Sequence, residues 1–229
     1  MLDATLQAAC PCVMCPRYEP LTLLTEDSHR FLICGDGLYV EVCRPWIHAI
    51  LKVMDSPIPL PYGQPPKLFS IQLHRRALIA GLQHFIRRSR EIAPLEHAAW
   101  LTFDPDQKTL GYVEPEVISR GAGHICYYRP DATPHCLPVV DCHSHGYLPE
   151  GAFFSDEDDA DDMTDDAKLA FVVGNLDKPE VSVAMRFVGF GLSIKLSEWV
   201  RSLLYDDHIT GEIELGNDKH DDRERPYPL

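Results

Sequence analysis

The sequence has no long hydrophobic run. None of its apolar stretches approaches the ~18 residues that a membrane-spanning helix needs, so no membrane is expected as a partner. Basic charge is scarce as well: 21 Lys and Arg stand against 35 Asp and Glu, a net charge of −14. An acidic surface repels phosphate backbones and anionic headgroups, which disfavours nucleic acid as a main partner. The first fifteen residues, MLDATLQAACPCVMC, contain no basic n-region and include Asp3. No targeting segment is read there, and a cytoplasmic location is expected. The eight cysteines are then expected as reduced thiols rather than a disulfide framework. Internal repeats are absent too. The rest is ordinary for a globular protein, 45% hydrophobic and 24% charged, and long enough for one domain with a full core.

Along the chain, punctuation divides the sequence in three. Residues 31–54 alternate around Gly35-Asp36-Gly37 and read as a hairpin, followed by a short helical or extended piece. The proline-rich stretch from Ser56 to Pro66 reads as a linker or extended arm. Residues 1–66 are therefore expected as an N-terminal β-rich extension, 67–206 as the main domain and 207–229 as a polar, flexible tail. Cys10, Cys12 and Cys15 form CPCVMC, which Cys34 or Cys43 could complete as a structural metal site. The plainer reading makes these thiols small buried apolar residues. In the main domain, residues 70–90 have helical spacing, with Ser70 as a plausible cap. Glu96–Phe103 reads as a strand with a hairpin partner at Leu110–Val113. Further strands are expected at 123–128, Val139–His143 and Val181–Gly189, and 167–173 continues apolar.

The chemistry concentrates in residues 139–162, VVDCHSHGYLPEGAFFSDEDDADD. His143 and His145 stand at i and i+2 at the end of an apolar run. On a strand that spacing puts both imidazoles on one face, about 6–7 Å apart along the chain. Ser155 and Asp158 form Ser-x-x-Asp, a helix start whose serine caps and whose aspartate faces back. Two histidines and a carboxylate, with a fourth position open to water, make a catalytic zinc set. Each part alone has a bland reading: a lone His-x-His usually binds nothing, Ser-x-x-Asp is usually a cap, and an acidic run is usually a solvated face. Asp159 and Asp162 are alternative ligands within that run. A calcium loop fails on pattern, because counting from Asp156 puts Asp161 where a glycine is required.

The order of helix, Glu-bearing strand, His-x-His strand and Ser-x-x-Asp helix resembles the JAB/MPN metallopeptidase family, the JAMM proteases. The matching residues are Glu96 after Pro94-Leu95, His143-Ser144-His145-Gly146, and Ser155-Asp156-Glu157-Asp158, within about residues 70–205. More narrowly it looks like the JAB/MPN member of the PRTRC cassette of bacterial mobile elements. The resemblance implies an α/β (α+β) MPN/JAB-like, cytidine-deaminase-like fold, a mixed β-sheet flanked by helices. It implies Zn²⁺ held by His143, His145 and Asp158, with Glu96 as general base and Ser155 stabilising an oxyanion. It also implies a ubiquitin-like protein or its conjugate as substrate, and E1-like adenylating and E2-like conjugating proteins as neighbours. A non-catalytic MPN-type binding scaffold is the alternative. Departures from the family pattern are a longer loop between His145 and Ser155, Gly146 in place of proline, and Ala99 in place of a glycine. Ser144, between the histidines, is expected to point away from the metal. Tyr147–Phe154 is expected to act as a mobile flap, with Gly146 and Gly151 as hinges.

Overall fold

The computed structural model describes residues 2–9, 11–162 and 166–205. The chain begins with α1 (Leu2–Ala9), β1 (Cys12–Met14), β2 (Ser28–Cys34), β3 (Gly37–Arg44), β4 (Ile47–Asp55) and β5 (Phe69–Ile71). These five strands form one sheet in sequence order. The expected hairpin is β2–β3, with its turn at Gly35-Asp36, and the piece after it is a third strand rather than a helix. Ser70 caps nothing: it lies in β5 opposite His48 of β4. The helix starts later, as α2 (Arg75–Ile92), with His74 at its N-cap. Backbone pairing with a waiting strand edge overrides the weak helical signal at 70–73.

The main sheet comprises β6 (Ala98–Asp104), β7 (Thr109–Val113), β10 (Leu137–Ser144), β11 (Lys168–Gly174), β12 (Ser182–Gly189) and β13 (Leu192–Lys195). Its order is β13-β12-β11-β10-β6-β7, with β10 and β11 parallel and every other pair antiparallel. The hairpin β8 (Val117–Arg120) and β9 (Ile125–Tyr127) forms a small sheet of its own. A short helix, α3 (Asp156–Asp162), joins β10 to β11, and α4 (Ser197–Tyr205) ends the described chain. This is the α/β, MPN-like arrangement of a mixed sheet with flanking helices.

Strand parity gives the sheet two faces of different chemistry. One face presents Ala99, Leu101 and Phe103 of β6, Val140 and Cys142 of β10, Leu169, Phe171 and Val173 of β11, and Met185 and Phe187 of β12. Leu78, Leu82 and Phe85 of α2 and Trp199, Val200 and Leu203 of α4 belong to the same core. So do Val40, Val42 and Leu51 of the N-terminal sheet, which makes the core continuous across residue 66. The other face carries the polar residues. Trp100, Asp141, Ala170 and Arg186 lie in one row across β6, β10, β11 and β12. His143 stands two residues along from Asp141 on that face.

Candidate metal centre

β10 delivers the histidines. His143 is in the strand, opposite Ala98 of β6 and Val172 of β11, and the His145 amide still donates to the Val173 carbonyl at 2.9 Å. Their Nε2 atoms lie 3.2 Å apart, and His143 Nε2 is 3.4 Å from Asp158 Oδ1. These separations match about 3.3 Å, the edge of a tetrahedron with zinc–nitrogen bonds of about 2.0–2.1 Å. The donor atoms of His143, His145 and Asp158 all lie within 4.8 Å of one another. The residues therefore fit a zinc ion.

The surroundings prepare the donors. His145 Nδ1 is 3.3 Å from the Gly151 carbonyl. Donation there keeps the proton on Nδ1 and leaves the Nε2 lone pair facing the site. Burial, and then the neighbouring His143, lower the His145 pKa to about 4, so this imidazole is neutral at pH 7. Burial pushes the Asp158 pKa up, but His143 and the Ser155 amide and hydroxyl outweigh it, and the carboxyl stays below its ordinary value. Asp158 Oδ2 accepts from Ser155 N at 2.7 Å and from Ser155 Oγ at 2.8 Å, while Ser155 Oγ accepts from Asp158 N at 3.2 Å. This reciprocal cap turns the other carboxylate oxygen toward His143. It also uses the single hydroxyl proton of Ser155, so an oxyanion could take that proton only if the hydroxyl turned away from Asp158.

Glu96 comes from the strand beside β10. His97 O accepts from Ser144 N at 2.9 Å, which carries the β6–β10 register past its last strand pair and sets Glu96 across from His145. Directly opposed residues share a face, so Glu96 and the histidines point the same way, and Glu96 is only 4% exposed. Ser144 points the other way, fully buried, its hydroxyl accepting the His97 amide at 2.9 Å.

The acidic run is divided. Asp159 and Asp162 turn to Arg186, and Asp162 also meets Lys168. Neither joins the histidine cluster, which takes Asp158 alone among the described residues. The loop before α3 is held at its ends. Leu176 N donates to Gly146 O at 3.1 Å, and Ala152 N donates to Ser182 Oγ at 2.8 Å. Gly146 has φ +51°, and a Cβ there would lie 2.5 Å from the Pro94 carbonyl oxygen. Proline, fixed near φ −65°, cannot stand at this position. Phe153 packs against His145 at 4.4 Å between ring centres, and Phe154 lies 6.5 Å from His143. A small cleft opens beside the cluster, lined by Tyr127, Asp141, His143, Phe154, Asp158, Asp162 and Ala170.

Asp141, Lys168 and Arg186 were not among the sequence candidates. Asp141 shares strand parity with His143 and His145, and Lys168 and Arg186 are single charges inside apolar strands. Those were the available signals. The cysteine-site expectation fares differently. Cys10 lies outside the described residues, Cys12 is exposed, and Cys15 and Cys34 are buried in a small apolar cluster with Leu32 and Ile50. No cysteine joins a metal-binding group among the described residues. The expected tail, 207–229, also lies outside them. No helix among the described residues is long and apolar enough to cross a membrane.

The chain brings together a mixed sheet bearing His-x-His at a strand end and a Ser-x-x-Asp helix facing it, the arrangement that the resemblance to JAB-type domains implies. A comparison with known families agrees: the model for prokaryotic homologs of the JAB domain matches residues 80–188, which supports the JAB family for this region. A domain of unknown function, DUF2016, matches residues 1–72. No curated protein matches the chain. Among solved structures, the chain is similar to protein DSY2949 from Desulfitobacterium hafniense, solved in solution. The identity is 13% and the TM-score 0.38, over 51% of this chain and 85% of that one.

Proposed function

We propose that this protein is a zinc-dependent peptidase or isopeptidase of the JAMM type. Its substrate is an amide bond at the C-terminus of a ubiquitin-like protein or of its conjugate, in a bacterial mobile-element cassette of the PRTRC kind. The adenylating and conjugating proteins of such a cassette are its functional neighbours. The observation that carries the reading is the convergence of His143, His145 and Asp158 within 4.8 Å, with Glu96 across the ladder from His145.

When bound, zinc would polarise the scissile carbonyl and lower the pKa of the attacking water. His143, His145 and Asp158 would hold the ion. Glu96 takes a proton from the water and passes it to the amine nitrogen as the C–N bond breaks, giving a carboxylate and a free amine. Ser155 holds Asp158 in place. On leaving Asp158, its hydroxyl could donate to the carbonyl oxygen as charge develops there. Phe153 and Phe154 narrow access of bulk water to the histidines. The test is metal analysis of the purified chain, with cleavage of a ubiquitin-like protein–peptide fusion measured with and without chelator. Metal-dependent cleavage is expected. A zinc-loaded protein that binds the fusion and leaves it intact would replace this reading with that of a binding scaffold.

A further inference from the structure

The ligand Asp158 sits on a helix that cannot hold its own position. α3 is seven residues long, DEDDADD, six of them acidic. A helix that short is not stable alone, and its sequence offers only Ala160 as an apolar residue. Two cations rising from the sheet meet it. Arg186 of β12 donates from Nε to Asp162 Oδ2 at 2.9 Å, and its two terminal nitrogens bond Asp162 and Asp159. Lys168 Nζ of β11 lies 2.8 Å from Asp162 Oδ1 and 2.9 Å from Asp141 Oδ2. Arg186 and Lys168 are 5% and 2% exposed, so these pairs are shielded from water. The guanidinium also lies 3.9 Å above the Phe154 ring, next to Ser155. The chain is thus tied to the sheet on both sides of Asp158, through Phe154 before it and through Asp159 and Asp162 after it. Tyr127 adds its hydroxyl to Asp141 at 2.7 Å and completes the row.

We infer that Arg186, assisted by Lys168, is a positioning residue of the metal centre: it fixes α3 on the sheet at the height where Asp158 meets His143 and His145. The inference rests on the metal reading of those three residues. Outer-shell partners of this kind set metal affinity, typically by 10–100-fold. Neither cation touches the ion; each acts through the helix that carries the ligand.

The experiment titrates zinc against a chromophoric chelator in the full chain, comparing wild type with Arg186→Gln, Arg186→Lys, Asp159→Ala and the double variant His143→Ala/His145→Ala. The visible spectrum of the cobalt(II)-substituted protein reports the ligand geometry. Wild type should bind one ion that the double variant loses. Arg186→Gln should bind it about 10–100-fold more weakly with an altered cobalt spectrum, and Arg186→Lys should recover part of the loss. Asp159 is half-buried at the helix surface, so Asp159→Ala keeps the test open if Arg186→Gln does not fold, and it should show a smaller loss of the same kind. A merely structural role would lower the melting temperature and leave affinity and spectrum as in wild type. That result, in any folded Arg186→Gln or Asp159→Ala protein, overturns the inference and leaves the metal reading standing. A wild type that binds no zinc overturns both, and the double variant tells a loss at this site from zinc held elsewhere.

Discussion

Replacing Ser155 by alanine separates two roles that one hydroxyl could play. In the structure the hydroxyl donates to Asp158 Oδ2 at 2.8 Å and accepts from Asp158 N at 3.2 Å. Alanine keeps the amide bond to the carboxylate, at 2.7 Å, and loses both hydroxyl contacts. The lost cap is worth about 1 kcal/mol of stability. The lost charge-assisted bond frees the carboxylate to rotate, and removing such an outer partner costs about 10–100-fold in metal affinity, or roughly 1.4–2.7 kcal/mol. The assay is zinc competition alongside denaturant unfolding of the zinc-free protein. Ser155→Ala is expected to shift both, and Ser155→Thr, which keeps a hydroxyl in place, should restore most of each. Turnover at saturating zinc then decides the second role. If the hydroxyl only holds Asp158, saturation rescues the rate. If it also serves the oxyanion, the rate stays about 10²–10³-fold down. A folded Ser155→Ala protein with wild-type zinc affinity would refute the orienting role read from the two bonds.

Three further outcomes are expected. Glu96→Gln should keep zinc and lose turnover by ~10²–10⁴-fold, since the amide cannot take a proton; equal activity on a substrate that wild type cleaves would remove Glu96 as the base. Gly174→Ala would put a Cβ 2.2 Å from the Gly151 carbonyl carbon. It should displace the carbonyl that fixes the His145 tautomer, costing about 1–3 kcal/mol of stability together with zinc affinity, and an unchanged melting curve would contradict the contact. His97 is 1% exposed and stacked on Phe85, and burial lowers its pKa to about 4 from 6.5. A histidine held neutral in the fold lets the unfolded chain take up the proton first. The stability it supports is therefore full above pH 6.5 and falls as pH drops toward 4, by at most about 3 kcal/mol. His97→Phe should flatten the acid slope of the unfolding midpoint in that window, and a slope identical to wild type would show that His97 does not set it.

The candidate metal cluster was legible because its residues are close in sequence and obey simple periodicities. His143 and His145 share a face by strand parity, and Ser155 and Asp158 are the two ends of a helix cap. Glu96 was legible only through resemblance, because its place depends on the β6–β10 register, and a register between distant strands leaves no mark in local sequence. The failed element at Ser70 has a similar cause: FSI could start a helix or end a sheet, and the edge of β4 decided it. The strand expected at 123–128 is β9, but its partner β8 escaped notice because it is four residues long and partly exposed, with little alternation to read. The segment expected as a flap, Tyr147–Phe154, is bounded by Gly146, which is tied to the turn after β11, and is held within by Ala152, which is tied to β12.

The acidic run finds partners that composition alone does not point to. Eight acids between Asp156 and Asp166 read as a solvated face, the usual outcome for such runs. Two of them, Asp159 and Asp162, pair with Lys168 and Arg186, and in sequence each of these cations is a lone charge in an apolar strand, AKLAFVV and VSVAMRFVG. Taken separately, the run calls for water and the two strands call for a fully apolar core. Together they satisfy each other, because a charge on a buried sheet face is tolerable only if it is paired and hydrogen-bonded. Only one face of this sheet can host such pairs, since the other is filled by Phe85, Phe171 and Phe187. The parity that puts Asp141, His143 and His145 on one side therefore dictates where Lys168 and Arg186 must point. A charged residue inside a strand that is otherwise apolar on both faces marks the face where a polar site is built, and its counter-charge is to be sought in the nearest acidic segment that crosses that face.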